Sequence, residues 1–200
     1  MDISIKKKIF NSKKLLREML IDRGYNPSDL NRLNKEFDKT NFETDMYWEI
    51  VSKSGDEKTL ISFLINKKLD NKLVESHFVK AKTLYSEKIK TVKIIMISSI
   101  VITNPTIAKN NEFMNINGIY SQTFLVDNLQ FNITKSNLVP EYKLLTHNEI
   151  NELPFKTSEM PRILISDPIS QYYGVTKNNV FQVKMISETT GEYLAYNKVV

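Results

Sequence analysis

Residues 166–174 read Ser-Asp-Pro-Ile-Ser-Gln-Tyr-Tyr-Gly. The spacing describes a complete short helix. Asp167 offers a side-chain oxygen to the partnerless amides of the first turn. Pro168 suits the first helical position, because the N–H it lacks has no partner there. Gly174 permits the left-handed residue that closes the helix. Upstream, Ile163–Ile165 reads as a short strand. Downstream, Val180–Ile186 and Tyr193–Val200 alternate as strands around a Glu188–Gly191 turn. Thr146 with Glu149 three residues on is a capping box for a short helix that stops at Pro154, and residues 154–161, bounded by two prolines, form a loop. The last third therefore reads as a small α+β domain.

The preceding residues follow a different pattern. Ile5, Ile9, Leu15, Leu16, Met19 and Leu20 recur at helical spacing and predict a helix over 3–23, ended by Gly24. Asn26-Pro27-Ser28 reads as a turn whose serine caps a second helix over 29–38. Asp45–Ser52 and Thr59–Ile65 read as strands joined at Ser54-Gly55-Asp56. Leu69–Lys88 reads as a helix with Leu69, Leu73, Val74, Phe78, Ala81 and Tyr85 on one face. Val92–Ile102 has the β-branched, apolar composition of a buried strand, broken by Asn104-Pro105. A further helix is expected over 105–114 and an extended segment over Tyr120–Asn132. Strand, helix, strand over 59–102 predicts a mixed α/β domain. The chain is divided into domains at 1–128 and 129–200.

Composition narrows the function classes. The 200 residues contain no cysteine, which excludes a disulfide-stapled fold and Cys-ligated zinc or iron–sulfur centres. Met1–Lys14 is charged and has no apolar central run, so no signal peptide is expected. The longest apolar stretch, Ile94–Ile102, is far short of the ~20 residues that cross a membrane. Residues 1–125 carry 21 Lys+Arg against 15 Asp+Glu, while 126–200 carry 7 against 8. A basic N-terminal part is compatible with a place near nucleic acid, although 24 Lys to 4 Arg is poor in the planar, bidentate guanidinium.

Signals for catalysis are weak. His77 and His147 are far apart in sequence and have no partner at ligand spacing, so both read as packing or surface residues. Five glycines supply no phosphate-cradling loop. Asp45, Glu49, Asp56, Glu57 and Lys58 surround the first hairpin in the manner of a Mg²⁺ nuclease, but a wet hairpin tip carries charges without any such purpose. Of the aromatics Tyr47, Trp48, Tyr172, Tyr173, Tyr193 and Tyr196, most occupy core positions; Tyr193 and Tyr196 fall on opposite faces of one strand and form no stacking platform. No catalytic residue, metal or cofactor is expected.

Residues 131–200 carry a further pattern. Phe131-Asn132-Ile133-Thr134 is followed by Leu138-Val139-Pro140-Glu141-Tyr142, Met160-Pro161-Arg162-Ile163, the 166–174 helix, and Ser187-Glu188-Thr189-Thr190-Gly191-Glu192-Tyr193 with Tyr196. In order and spacing this resembles the C-terminal assembly domain of the common subunit of the three eukaryotic nuclear RNA polymerases. The archaeal counterpart in that family consists of this domain alone. A fainter similarity covers Leu15–Tyr25, ending Asp22-Arg23-Gly24-Tyr25. The chain departs from the family at Gln171, Met185, Glu192 and Asn197, where arginine is usual, and at Ile186, where proline is usual.

The resemblance implies an N-terminal α/β nuclease-like jaw domain without catalysis and a small C-terminal α+β assembly domain. It implies a non-catalytic polymerase subunit that meets the largest subunit and other subunits and stands beside downstream double-stranded DNA without reading its sequence. No membrane and no small-molecule substrate are implied. The partner-facing residues it implies are Leu138, Val139, Pro140, Glu141, Arg162, Asp167, Pro168, Tyr172, Gly174, Glu188, Thr189, Gly191 and Tyr193, and an edge of the terminal sheet is a candidate for pairing with a partner strand. Lys67, Lys68, Lys80, Lys82, Lys88 and Lys90 are the expected DNA-proximal charges. The alternatives are a free-standing DNA-binding accessory factor on the same fold and an active nuclease. The Lys- and Asn-rich composition, with the lost arginines, points to an AT-rich source. A large DNA virus is expected, which places the protein in the host cytoplasm and the virion; a cellular source places it in the nucleus.

Overall fold

Strands rich in β-branched and aromatic residues on both faces need cover on both faces, and the N-terminal unit supplies it. The computed structural model describes residues 3–26, 47–53, 56–187 and 191–200. It separates into two compact units, residues 1–131 and 132–200.

In the first unit, helix α1 (Ile3–Asp22) precedes strands β1 (Tyr47–Lys53) and β2 (Glu57–Leu64). Helix α2 (Asn71–Lys82), β3 (Thr91–Ser98), helix α3 (Asn104–Asn117) and β4 (Tyr120–Leu125) follow. The sheet order is β1-β2-β3-β4, with β1 antiparallel to β2 and β2, β3 and β4 parallel. Leu60 and Leu64 of β2 and Val92, Ile94 and Met96 of β3 pack with Val74, Phe78 and Ala81 of α2 in one core cluster. Thr59, of opposite parity, meets the Tyr25 hydroxyl just beyond α1. The α1 end is closed by Gly24 at φ 86°.

Several boundaries differ from the expected ones, each for a local reason. Helix α2 spans Asn71–Lys82, shorter than 69–88. Asp70 caps it through Leu73 N (2.8 Å), and the chain then tightens into i→i−3 bonds, Leu84 N to Ala81 O and Tyr85 N to Lys82 O. Tyr85 is thus outside the helix and exposed. Strand β3 ends at Ser98, because Ser98 Oγ bonds both the N–H and the C=O of Ile100 and competes with the ladder. Asn104-Pro105 opens α3 rather than merely breaking a strand, and α3 runs to Gly118, left-handed at φ 64°. Only Tyr120–Leu125 of the expected extended segment is strand; Val126–Leu129 is a 3₁₀ turn, where Ser12 Oγ of α1 donates to Val126 O at 3.0 Å.

The second unit contains a 3₁₀ turn (Ile133–Lys135), β5 (Glu141–Leu144), α4 (His147–Asn151), β6 (Arg162–Ile163), α5 (Pro168–Tyr173), β7 (Val180–Ser187) and β8 (Gly191–Val199). Its sheet order is β5-β7-β8-β6. The alternation along β7 sends Phe181 and Val183 into a core with Ile163, Ile169, Val175 and Val199, and Val180 into a second core with Leu145 and Met160. The capping box is present: Glu149 N lies 3.4 Å from Thr146 Oγ1, and the Glu149 carboxylate accepts from Thr146 N at 2.7 Å. The strand expected over 163–165 is Arg162–Ile163. The expected helix over 29–38 with its Ser28 cap, Asp45, the Ser54-Gly55 tip, and Glu188 and Thr189 lie outside the described residues, as do the side chains of Tyr47, Trp48 and Glu49.

Candidate partner-binding surface

The 166–174 helix forms as its sequence dictates. Asp167 Oδ1 accepts from Ile169 N at 2.8 Å, Pro168 occupies the first turn, and Gly174 is left-handed at φ 62°. Its aromatics serve the unit's interior. Tyr172 is buried and its hydroxyl accepts from Asn132 Nδ2 at 3.1 Å. Tyr173 Oη donates to Tyr142 O at 3.0 Å, and its ring stands edge-on to Phe181. Gln171 Nε2 donates to Ile165 O at 2.7 Å, tying the helix back to the chain before it. Asp167, Tyr172 and Gly174 therefore build the unit's shape, whereas Pro168 is exposed.

The outward-facing residues lie at the sheet margins. Leu138 is 94 % exposed, Val139 packs against the core, Pro140 is half-buried and Glu141 opens β5. Among the described residues, strand β5 pairs with β7 alone, and β6, which carries exposed Arg162, pairs with β8 alone, so these are the two edges. The β7–β8 hairpin outreaches both. Strand β5 covers only Phe181–Lys184 of β7, and β6 covers only Lys198 and Val199 of β8. Among the described residues, the outer backbone edge of β8 from Gly191 to Asn197 thus has no strand beside it. Ile186 is 79 % and Leu194 53 % exposed on this projecting part, and Tyr193 is also exposed. Lys184 and Glu192 pair at 2.9 Å between Ile186 and Leu194, and that contact raises the Lys184 pKa.

Sequence reasoning placed Gly191 and Tyr193 in this region and missed Ile186 and Leu194. The signal was available, because both apolar residues alternate with residues that face the core and so lie on the opposite face of the hairpin.

The six lysines do not form one patch. Lys67 and Lys68 follow the C-terminal end of β2, while Lys88 and Lys90 precede the N-terminal end of β3, which is parallel to β2. Lys90 N donates to Asp56 O at 2.9 Å, placing it beside the start of β2. Lys80 and Lys82 occupy the last turn of α2, and burial lowers the Lys80 pKa.

Of the acidic residues of the first hairpin, Glu57 is engaged within the fold. The Glu57 carboxylate accepts from Tyr25 Oη at 2.7 Å and pairs with Lys93 at 3.1 Å. Burial pushes this carboxyl up, but the Tyr25 hydroxyl and the Lys93 ammonium together hold it below the usual range. Among the described residues no group of three His, Cys, Asp or Glu gathers to hold a metal. His77 is buried, with Nδ1 2.6 Å from Leu73 O and Nε2 2.7 Å from Ser62 Oγ. Nδ1 must donate to the carbonyl, so Nε2 accepts from the serine. The imidazole and Ser62 are both buried, so the pair is structural. His147 lies exposed at the start of α4. No described helix is long and apolar enough to cross a membrane.

Residues 131–199 match the family described as RNA polymerase Rpb5, C-terminal domain. Similar proteins include DNA-directed RNA polymerases I, II, and III subunit rpabc1 of Dictyostelium discoideum, 38 % identical over 42 % of this chain and 45 % of that protein. The subunit RPABC1 of Caenorhabditis elegans is 40 % identical over 38 % of each chain. These matches span less than half of the relatives' length. The DNA-directed RNA polymerase subunit 5-like protein 1 of Arabidopsis thaliana is 25 % identical over 94 % of both chains.

Proposed function

We propose, from the premise that residues 131–199 carry the Rpb5 C-terminal domain, that this chain is a non-catalytic subunit of a multisubunit DNA-directed RNA polymerase. It contributes to assembly with the largest subunit and works wherever that polymerase works. The observation that carries the reading is this domain match, and the margins of the unit's sheet give it a physical basis. A hairpin with exposed Ile186 and Leu194 and an open backbone edge offers a partner both apolar contact and strand pairing. The N-terminal unit is the jaw. Its lysines would meet DNA phosphates, from one end of the sheet at Lys67 and Lys68 and from the other at Lys88 and Lys90, without reading bases. Glu57, paired with Lys93 and Tyr25, serves the fold rather than bond cleavage.

The double variant Ile186→Asp/Leu194→Asp tests this reading. Both side chains are exposed, so the variant is expected to keep the parent's circular dichroism spectrum and lose co-purification of the polymerase. Retention of the complex by a folded variant contradicts the proposed surface.

A further inference from the structure

A cavity of about 320 Å³ opens in the C-terminal unit between the 157–162 segment, the 177–178 turn and the end of β8. Main-chain bonds hold these segments together. Lys198 N donates to Pro161 O at 2.8 Å, Asn178 N to Val199 O at 2.9 Å, and Val200 N to Ile163 O at 3.0 Å. Asn178 turns the chain with a left-handed φ of 72°.

Arg162, Lys177 and Lys198 line the cavity; no acidic side chain is among its lining residues, and the carboxylate of Val200 is the one negative group there. Arg162 and Lys198 are partners in register on β6 and β8, so two of the cationic residues sit side by side. Elsewhere in the unit, Lys143 and Lys184 each meet a carboxylate, at 2.6 and 2.9 Å. Three cationic side chains against the one carboxylate of Val200 leave positive charge in excess at this cavity, and a further anion placed there offsets it. Met160 and Val199 add an apolar wall.

The chemistry selects among anions. Residues 132–200 carry seven cationic and seven acidic side chains, so the unit has no net positive field to attract a polynucleotide. The positive charge is local. A guanidinium fork matches a carboxylate through two parallel bonds, and the apolar wall suits the methylenes that carry it. We propose that this cavity takes an Asp or Glu side chain presented by a neighbouring polymerase subunit. This rests on the subunit reading above.

The polymerase recovered through a tag on the full-length chain provides the test. A carbodiimide joins an amine directly to a carboxylate, adding no spacer, and mass spectrometry identifies the linked peptides. The expected result is Lys177 or Lys198 linked to an Asp or Glu of another subunit. In addition, Arg162→Gln/Lys177→Gln, with an unchanged circular dichroism spectrum, is expected to dissociate from the complex about tenfold faster than the parent. The proposal is overturned if neither lysine links to another subunit, or if the folded double variant remains bound as long as the parent. Photo-cross-links from these lysines to nucleic acid would also overturn it, in favour of a phosphate ligand. If the parent chain recovers no polymerase at all, the subunit reading fails first and this one falls with it.

Discussion

Burial holds the His77 imidazole down to about 4, against an ordinary 6.5, with Lys80 and Lys67 adding to the effect and the Leu73 carbonyl opposing it. The unfolded chain therefore takes up this proton at a higher pH than the folded one. Stability from this residue is complete above about pH 6.5 and is lost as the pH falls toward 4, by an amount on the order of 3 kcal/mol. Thermal melts from pH 7.5 to 4 are expected to show this loss, and His77→Gln, which does not titrate, is expected to flatten the curve. Equal slopes in both proteins would contradict the assignment. At Glu57, Glu57→Gln weakens the Lys93 pair and is expected to cost about 1–3 kcal/mol, read from urea midpoints. His77 was partly legible in sequence. It lies four residues from Leu73 and from Ala81, on the apolar face of the helix, which predicts burial. Its partner Ser62 was not legible, because nothing local specifies which residue of a neighbouring strand faces which turn of a helix.

At the scale of the element, two helix starts capped by a side chain were readable, while the Asp70 cap of α2 was not, since the apolar Leu69 drew the expected start past it. Asp167-Pro168 with Gly174 state both ends of one helix in the sequence, and Thr146 with Glu149 state the start of another, which ends at Asn151, before the expected stop at Pro154. Asp167→Ala is expected to cost about 1 kcal/mol through loss of the bond to Ile169 N, and Gly174→Ala a similar amount for a left-handed residue that gains a Cβ. Chemical denaturation of the full chain measures both. Ends set by competing main-chain bonds were not readable. The apolar face predicted for 69–88 continues past Lys82, but the chain tightens there and turns away. The apolar run 92–102 likewise continues past Ser98, whose hydroxyl captures the Ile100 main chain. Periodicity reports which residues are apolar and is silent on where a hydroxyl diverts the backbone. The projecting edge of β8 was hidden for a related reason, since it depends on how short β6 is.

At the scale of the whole molecule, two units with separate cores suggest a division of labour. The C-terminal unit is expected to bear the assembly contacts and the N-terminal unit the basic charge. Cutting the chain near residue 130 is expected to leave the polymerase attached to the C-terminal piece. The most direct test is a tagged pull-down of the full chain at about 0.3 M salt, which weakens contacts held only by phosphates. The account predicts stoichiometric recovery of a set that includes the two largest polymerase subunits. Recovery of the chain alone, from cells in which that polymerase is present, would contradict it.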